Sequence, residues 1–362
     1  MNSSNLKYYS QLDGLRAFAI VFVMVGHWIS WDTTNEFVKH APWGHGVILF
    51  FVLSGYLISN ILFEQKEKID SGFSTIGQSV KTFYLRRFLR IFPVYYLLIF
   101  YLYSINYQNT REIFPWLVTY TSNILEATTG EYVGNFNHFW SLAVEEQFYL
   151  IWPFVILFVD NKKIFKIILA FMAVSILSRF TCFIIEPKKW MLAAYLTPNL
   201  FLPLCLGALL AYARRYNTKL NTIFNNVILM YAATLVYILS YYFLHYQKQI
   251  AAYDILLDEY LFAIACLFFI ARASCNGFQF IGKNILEHDI VVFLGKISYG
   301  LYVYHLFMGN FFWDYLANEH HIGLESKEAM WFIYFSLTIL ISILSFYFIE
   351  KPILKLKKYL EY

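Results

Sequence analysis

The segment from Gly44 to Phe63 reads GHGVILFFVLSGYLISNILF and contains no Asp, Glu, Lys or Arg. A helix rises about 1.5 Å per residue, so about 20 apolar residues cross the hydrocarbon core of a bilayer, which is about 30 Å thick. An uncharged apolar run of this length predicts a transmembrane helix.

The composition of the whole chain is also that of a membrane protein. Hydrophobic residues make up 59% of the 362 and charged residues 14%, whereas soluble domains average about 45–50% and about 25%. Tyr and Trp, which suit the headgroup level of a bilayer, are abundant. The net charge is +4, but Lys and Arg are scattered between apolar runs, so nucleic acid is not expected as a partner.

Similar apolar runs recur along the chain and predict an all-α fold, a polytopic transmembrane bundle of about ten spanning helices. The predicted spans are Leu15–Trp31, Gly44–Phe63, Arg90–Tyr107, Ser141–Val159, Ile164–Phe180, Thr197–Ala213, Asn226–His245, Ile255–Ile270, Phe293–Phe312 and Met330–Ile349. The run from Ile113 to Leu125 is too short to span.

Basic residues predict the orientation of this bundle. With a cytoplasmic N-terminus, the inner segments carry 21 of the 28 Lys and Arg residues and the outer loops carry six. The positive-inside rule then places both termini in the cytoplasm. No hydrophilic stretch is long enough to fold alone, so residues 1–362 are expected to form a single membrane-embedded domain.

Neither cysteine nor histidine spacing indicates a metal site. The four cysteines have no C-x-x-C spacing and lie mostly in or beside apolar stretches, so they are expected to be small core residues. His320 and His321 lie in a predicted outer loop and resemble solvated loop residues.

Arg16 and His27 share one face of the first predicted helix. They are eleven residues apart, which is three helical turns plus about 20°, and they are separated by roughly 16 Å along the axis. Ionisable groups inside a membrane are costly and need a partner or a function. A snorkelling Arg and an interfacial His remain the alternative for this pair.

Glu145 and Glu146 form the sharpest signal, because two adjacent carboxylates lie near the start of a predicted spanning helix. Adjacent helical residues differ by about 100°, so the two carboxylates are expected to face different partners. One of them could orient His27, as a carboxylate does for a general base. Structural pairing with Arg179 is the alternative.

Arg87 and Arg90 are three residues apart at the predicted cytoplasmic start of the third helix, at the level of Arg16. Guanidinium groups bind phosphates through paired hydrogen bonds. The three arginines are therefore expected to hold an anionic cytoplasmic donor, unless they only set the topology of the chain.

Two further helices carry polar or small residues. Ser54 and Gly55 in the second helix would let another helix or an acyl chain approach closely, and packing alone could explain them. Tyr302 and His305 in the ninth helix are expected either to line a cavity or contact a sugar, or to pack in the core.

Together these motifs resemble acyltransferase family three, a family of membrane O-acyltransferases. The resemblance rests on Leu12-Asp13-Gly14-Leu15-Arg16-Ala17 with His27, the Phe-Phe-Val-Leu-Ser-Gly-Tyr run at 50–56, Arg87-x-x-Arg90, Trp140-Ser141 through Tyr149, and the run from Ile297 to His305. The sequence departs from the family in the sixth helix, where Thr197-Pro198-Asn199 replaces an Arg and an Asp found in many relatives.

The resemblance implies ten helices in a bacterial inner (plasma) membrane, an acyl-CoA donor, most often acetyl-CoA, and a carbohydrate or lipid-linked glycan acceptor. It implies a catalytic His27, a functional carboxylate at Glu145 or Glu146, and donor-binding arginines at 16, 87 and 90. Asp13, Ser54, Ser141, Tyr149, Tyr302 and His305 would line the cavity. No permanently bound cofactor, metal or fused esterase-like domain is expected, membrane lipid surrounds the chain, and the oligomeric state is open, a homodimer included.

In the mechanism that follows, His27 acts as the base for the acceptor hydroxyl or carries the acyl group itself, and the sequence leaves both routes open. The rival is a multispan transporter or flippase of an anionic lipid-linked substrate. Neither an internal repeat nor paired broken helices, which are common in transporters, is expected from the sequence.

Overall fold

The computed structural model describes residues 8–30, 33–312 and 327–360, which are mostly helical and contain no strand. The main helices are α1 (Ser10–Trp28), α2 (Gly46–Asp70), α3 (Ile76–Ser104), α4 (Thr110–Val118), α5 (Ser122–Thr129), α6 (Phe139–Phe158), α7 (Asn161–Ile185), α8 (Phe201–Tyr216), α9 (Val227–Ser240), α10 (Glu259–Ala273), α11 (Asp289–Lys296), α12 (Ser298–Phe312) and α13 (Lys327–Ser345).

Shorter segments connect or extend these helices. Short α-helices are Glu36–His40, Trp190–Tyr195, Thr218–Phe224, Ala251–Tyr253, Phe280–Leu286 and Lys351–Leu354. Single 3₁₀ turns are Trp43–His45, Tyr107–Asn109, Gly134–Phe136, Thr197–Leu200 and Lys355–Tyr359, and π-helical turns are Tyr241–Gln247, Asp254–Asp258 and Phe346–Glu350.

Among the described residues, five helices are long and apolar enough to cross a membrane. They are Trp43–Asp70, Phe139–Phe158, Asn161–Ile185, Val227–Gln247 and Lys327–Tyr359, and two bent pairs raise the number to as many as seven. Helices α1, α8 and α10 form where three more spans are predicted, but they do not meet the same measure of length and composition. An all-helical membrane bundle is confirmed, whereas the count of ten and the cytoplasmic termini stay predictions.

The predicted start of the third helix is wrong. Helix α3 begins at Ile76, well before Arg90, and the Thr75 side chain caps it by accepting from the Gln78 N–H at 3.2 Å. The segment before Arg90 is polar, and hydropathy does not detect a helix that continues beyond the hydrocarbon core.

The ninth predicted span is not one helix. Helices α11 and α12 meet at Ile297 with a bend of 73°, and α3 is bent by 120° from the segment Tyr107–Val118. At the second bend Asn106, Gln108 and Asn109 all have positive φ angles, between 46° and 59°. The expectation of unbroken helices is therefore wrong, and it no longer counts against a transporter.

Helix α2 lies at the centre of the bundle and contacts α1, α6, α8 and α10. Its approach to α8 is close because Gly55 faces the backbone carbonyl of Leu204, and Gly207 faces that of Val52. A side chain at either glycine would collide with backbone. The small residue predicted at position 55 thus serves helix packing, as small residues do between membrane helices.

Helices α7, α9 and α13 form the periphery. They bury only a small share of their spanning residues, and apolar side chains such as Leu177, Leu235 and Leu340 are exposed. Exposed apolar surface of this extent suits contact with lipid.

Substitution of Gly55 tests the close approach of α2 and α8. In Gly55→Ala the added methyl group meets the Leu204 carbonyl, and such overpacking costs about 1–3 kcal/mol. We expect a lower unfolding temperature for the protein in nanodiscs. Gly77→Ala is the matched control, because nothing lies within 4 Å of its added methyl and Ala favours helix. Equal unfolding temperatures in the two variants would contradict the contact.

Candidate functional site

A cavity of about 200 Å³ lies among α1, α2, α3, α6 and α12. Three of the lining residues, Arg16, Arg87 and Arg90, lie towards one end of the bundle, which we call the arginine end. The polar lining of the cavity consists of Arg16, Ser54, Arg87, Arg90, Ser141, Glu145, Tyr149, Ser298, Tyr299 and Tyr302. Its apolar wall consists of Val47, Phe50, Phe51, Leu57, Ile58, Ile61, Ile91 and Leu142. The structure therefore brings together three predicted arginines, one predicted carboxylate and four predicted lining residues.

Arg16 reaches the cavity with its charge partly balanced. Its Nη1 lies 2.8 Å from the Asp13 Oδ1 carboxylate oxygen, and the Tyr8 hydroxyl donates to the other oxygen of Asp13 at 2.7 Å. Asp13 itself is not part of the lining. The resemblance implied that Asp13 would line the cavity, whereas in the structure Asp13 positions Arg16.

Arg87 and Arg90 have no ion pair within 4 Å in the part of the chain that the structure describes. The Arg87 guanidinium lies over the Tyr149 ring, 5.6 Å from its centroid. Arg90 is within electrostatic reach of Glu350 and Lys357, which come from the C-terminal segment. The cavity thus presents two guanidinium groups without a fixed counter-ion.

Glu145 forms the opposite wall of the cavity. Its Oε1 accepts a hydrogen bond from the Ser54 hydroxyl at 2.6 Å, and its carboxylate lies within electrostatic reach of Arg87 and Arg90. The Ser54-Gly55 pair therefore divides its roles, because Ser54 faces the cavity while Gly55 faces α8.

Glu146 faces a different space, as the 100° offset of adjacent residues predicts. It lines a second cavity of about 300 Å³ between α3 and α6, together with Tyr84, Leu85, Arg87, Phe88, Phe92, Tyr149 and Leu150. Arg87 and Tyr149 border both cavities.

The main cavity ends at a pair of hydroxyl groups. The Ser141 Oγ and Tyr302 OH oxygens are 2.5 Å apart, and Tyr302 donates to the His138 carbonyl at 2.6 Å. The Ser141 hydroxyl also lies within donating distance of the His138 carbonyl, at 3.3 Å, so either hydroxyl can be the donor within the pair. This hydroxyl pair separates the cavity from three histidines behind it.

His27, His138 and His305 form a cluster beyond the hydroxyl pair, and none of them lines the cavity. The ring centroid of His305 is 4.9 Å from that of His27 and 4.8 Å from that of His138. His27 Nδ1 lies 2.9 Å from the Val23 carbonyl oxygen and 3.2 Å from His305 Nε2.

The expected pairing of His27 with a glutamate is not found. Within the described residues, the hydrogen bonds of the His27 ring go to Val23 and His305, and that of Glu145 goes to Ser54. His138 was missed in the sequence because it precedes α6 alone, without a repeated or spaced partner. Only the folded chain shows that it joins the other two histidines.

Arg179 does not pair with Glu145 or Glu146. Its Nη2 lies 2.6 Å from the Glu259 Oε2 oxygen, and its guanidinium is 4.9 Å from the centroid of the Tyr260 ring. Next to this pair, His45 Nε2 lies 2.9 Å from the Asp258 Oδ2 oxygen. The structural alternative for the two adjacent glutamates is therefore excluded in this structure.

No group of three His, Cys, Asp or Glu side chains among the described residues could hold a metal ion, even though three histidines meet. His320 and His321 lie outside the described residues.

Glu126 is a buried carboxyl that the sequence pattern did not single out. It lies on α5, outside the candidate spans. Its Oε1 accepts from the Val133 N–H at 3.3 Å, while Oε2 has no hydrogen-bond partner in the described part of the chain. Burial raises the pKa of Glu126 to about 8.

Comparison with known proteins agrees with the motifs. The family model described as an acyltransferase domain matches residues 9–350. An O-acetyltransferase of Staphylococcus aureus (strain COL), whose assignment is provisional, is 30% identical over 371 residues, covering 97% of this chain and 58% of the relative. No solved structure matches the chain.

Two further relatives carry names that include an acceptor. The peptidoglycan O-acetyltransferase of Listeria monocytogenes is 28% identical and covers 96% of this chain and 56% of the relative. A provisionally assigned peptidoglycan O-acetyltransferase of Bacillus subtilis is 26% identical, with 96% and 55% covered. The chain thus spans little more than half the length of these relatives.

The buried Glu126 carboxyl should make stability depend on pH. Its pKa is about 8 in the folded protein, against 4.5 for an ordinary Glu. Between these values the folded protein keeps a proton that the unfolded chain releases, so stability falls as the pH rises and levels off above about pH 8. We expect the unfolding temperature of Glu126→Gln to be close to that of the wild type at about pH 5 and higher than that of the wild type at about pH 9. Parallel profiles of unfolding temperature against pH would contradict this.

Proposed function

The chain belongs to the acyltransferase family, and from that premise we propose that it is an integral membrane O-acyltransferase. It moves an acyl group, acetyl in the first instance, from a cytoplasmic acyl-CoA to a hydroxyl of a cell-surface or exported carbohydrate. The observation that carries this proposal is the cavity in which two guanidinium groups without fixed counter-ions lead to a hydroxyl pair backed by histidines.

The arginine end suits the phosphates of CoA. Arg87 and Arg90 can each offer paired N–H donors to phosphate oxygens, and hydrogen bonds of this charged kind are stronger than neutral ones. Arg16 contributes a third guanidinium, held in place by Asp13. We assign the arginine end to the cytoplasm, where acyl-CoA is made and where the positive-inside rule places basic residues.

The middle of the cavity suits the arm of the donor. Phe50, Leu57 and Ile58 provide apolar wall on the face of α2 that also carries Ser54, and the Glu145 carboxylate opposite them provides a hydrogen-bonding group. A cavity of about 200 Å³ admits an extended arm with its acyl group but not the whole of CoA, so the nucleotide would stay near the arginines.

The chemistry requires the acyl carbon to pass the hydroxyl pair. We propose that Ser141 and Tyr302 separate when the donor is bound, which lets the thioester reach His27. His27 then takes the proton of the acceptor hydroxyl while the hydroxyl oxygen attacks the thioester carbonyl. The C–S bond breaks, and the CoA thiolate that leaves takes this proton from His27. In the second route His27 attacks the thioester first, which breaks the C–S bond and expels the CoA thiolate. The acceptor hydroxyl then takes the acyl group from the imidazole, and its proton goes to the thiolate.

The names of the relatives, rather than the geometry of the cavity, support the proposed class of acceptor. Two relatives are named for peptidoglycan, so we propose a sugar hydroxyl of peptidoglycan or of another surface glycan, free or lipid-linked. The histidine cluster lies away from the arginine end of the bundle, which suits an acceptor that arrives from outside. The proposed location is the bacterial plasma membrane.

A transporter or flippase is the second candidate. The 73° bend at Ile297 and the 120° bend after Ser104 favour it, because bent and broken helices are common around transport sites. Turnover of the donor separates the two functions, since a transporter leaves the thioester of acyl-CoA intact.

Donor turnover tests the arginine site. With acyl-CoA labelled in its acyl group, we expect purified wild-type protein in nanodiscs to release CoA in the presence of cell-wall glycan. Arg87→Gln and Arg90→Gln should each raise the KM for acyl-CoA by about 10–100-fold, because hydrogen bonds to charged groups contribute about 1.5–3 kcal/mol. His27→Ala should abolish turnover while keeping the wild-type affinity for CoA.

Lys81→Gln is the matched control, because it removes one positive charge from the exposed side of α3, outside both cavities. It should leave the KM unchanged. If Lys81→Gln and Arg87→Gln raised the KM equally, the effect would come from general surface charge and not from a specific contact of Arg87 with the donor. Failure of the wild-type protein to bind or cleave any acyl-CoA would refute the acyltransferase proposal and favour the transporter.

A further inference from the structure

The proposed reaction uses His27 and leaves the neighbouring histidines without a role. His305 lies on α12 and is fully buried, and its Nε2 faces the His27 Nδ1 atom on α1 at 3.2 Å. A contact between two imidazole nitrogens is a hydrogen bond only if one nitrogen carries a proton and the other does not. The tautomers of the two rings therefore decide what this contact does.

Two backbone carbonyls determine those tautomers. A carbonyl oxygen can only accept, so the His305 Nδ1 atom, 2.7 Å from the Tyr302 oxygen, carries a proton. In the same way His27 Nδ1, 2.9 Å from the Val23 oxygen, carries a proton. Each neutral ring then has a free lone pair on Nε2, and the His27 Nδ1–H donates to His305 Nε2 as well as to Val23.

From this geometry we infer that His305 is the positioning residue of His27, holding the ring by accepting its Nδ1–H so that Nε2 of His27 is the basic nitrogen. The inference rests on the proposed function for the catalytic role of His27. It assigns to a histidine the place that a glutamate was expected to fill.

The two acceptors of the His27 proton differ in what they hold. Val23 lies on α1 itself, one turn before His27, so that bond moves with the helix. His305 belongs to the opposite wall and fixes the ring relative to α12. When His27 gains a proton during the reaction, the neutral His305 Nε2 still accepts from Nδ1 and stabilises the imidazolium, much as a carboxylate does in a catalytic triad.

His138 does not extend this chain of hydrogen bonds. Within the described residues no hydrogen bond joins its ring to that of His305, and the two rings meet at 72° with centroids 4.8 Å apart. It packs against His305 and Phe139 and supplies its backbone carbonyl to Tyr302. His138 therefore restrains the place of His305 without sharing a proton with it.

Nitrogen NMR of the unmodified protein tests the hydrogen bond directly. In nanodiscs with ¹⁵N-labelled histidine, signals are assigned by their loss in His27→Gln and His305→Gln. We expect protonated Nδ1 and unprotonated Nε2 on both rings, with a scalar coupling across the hydrogen bond from His27 Nδ1 to His305 Nε2. A protonated Nε2 on either ring, or no coupling between the two nitrogens, overturns the assignment.

Two substitutions at position 305 separate positioning from packing. His305→Leu fills the site but accepts no hydrogen bond, whereas His305→Gln keeps an acceptor oxygen. We expect kcat to fall by about 10–100-fold in His305→Leu, by analogy with residues that orient metal ligands, and to be partly restored in His305→Gln. The KM for acyl-CoA should stay unchanged in both, because His305 does not line the donor cavity.

The outcomes distinguish this inference from the proposed function. Wild-type turnover that needs His27 but continues at full kcat in His305→Leu leaves the function standing and overturns the role of His305. Equal loss in both variants, accompanied by lower unfolding temperatures, assigns His305 to packing and also overturns it. If the wild-type protein turns over no acyl-CoA, the proposed function fails, and the NMR coupling alone decides whether the histidine pair exists.

Discussion

The cost of placing ionisable groups in hydrocarbon governs the arrangement of this molecule. Charged side chains at the centre of a membrane helix cost about 2.5–3.5 kcal/mol each on insertion scales, so they gather inside the bundle and find partners there. Arg179 does so with Glu259, and Arg16 with Asp13. Arg87 and Arg90 instead line a cavity and have no ion-pair partner within 4 Å among the described residues.

Arginines that have an ion-pair partner in the fold serve its structure, whereas arginines without one are available for binding. An arginine paired within the fold already has its anion, and its removal affects mainly stability. In the proposed function Arg87 and Arg90 offer their N–H donors to an external anion, with Glu145 across the cavity limiting the net charge. The close packing of α2 against α8 through Gly55 and Gly207 keeps Ser54 at the wall where it binds Glu145. The proposed donor site thus depends on a helix contact on the opposite side of α2.

Helical periodicity predicted much of the site but not its partners. The 100° offset between Glu145 and Glu146 correctly placed them in different spaces, and Arg87 and Arg90, three residues apart on one helix, line the same cavity. The partner of His27 lies 278 residues away, beyond a 73° bend that hydropathy did not show. Local spacing describes one helix face at a time, whereas the histidine cluster depends on how α1, α6 and α12 meet.

The size of what must pass the Ser141–Tyr302 pair distinguishes the two candidate functions. A flippase must carry its entire substrate past this point, which requires separation of helices that the hydroxyl pair and the His27–His305 contact now join. An acyltransferase needs only the acyl carbon and one thioester sulfur to approach the imidazole, and the proposed separation of Ser141 and Tyr302 would be enough for that approach. A closed hydroxyl pair with histidines directly behind it therefore suits the transfer of a small group better than the passage of a whole molecule.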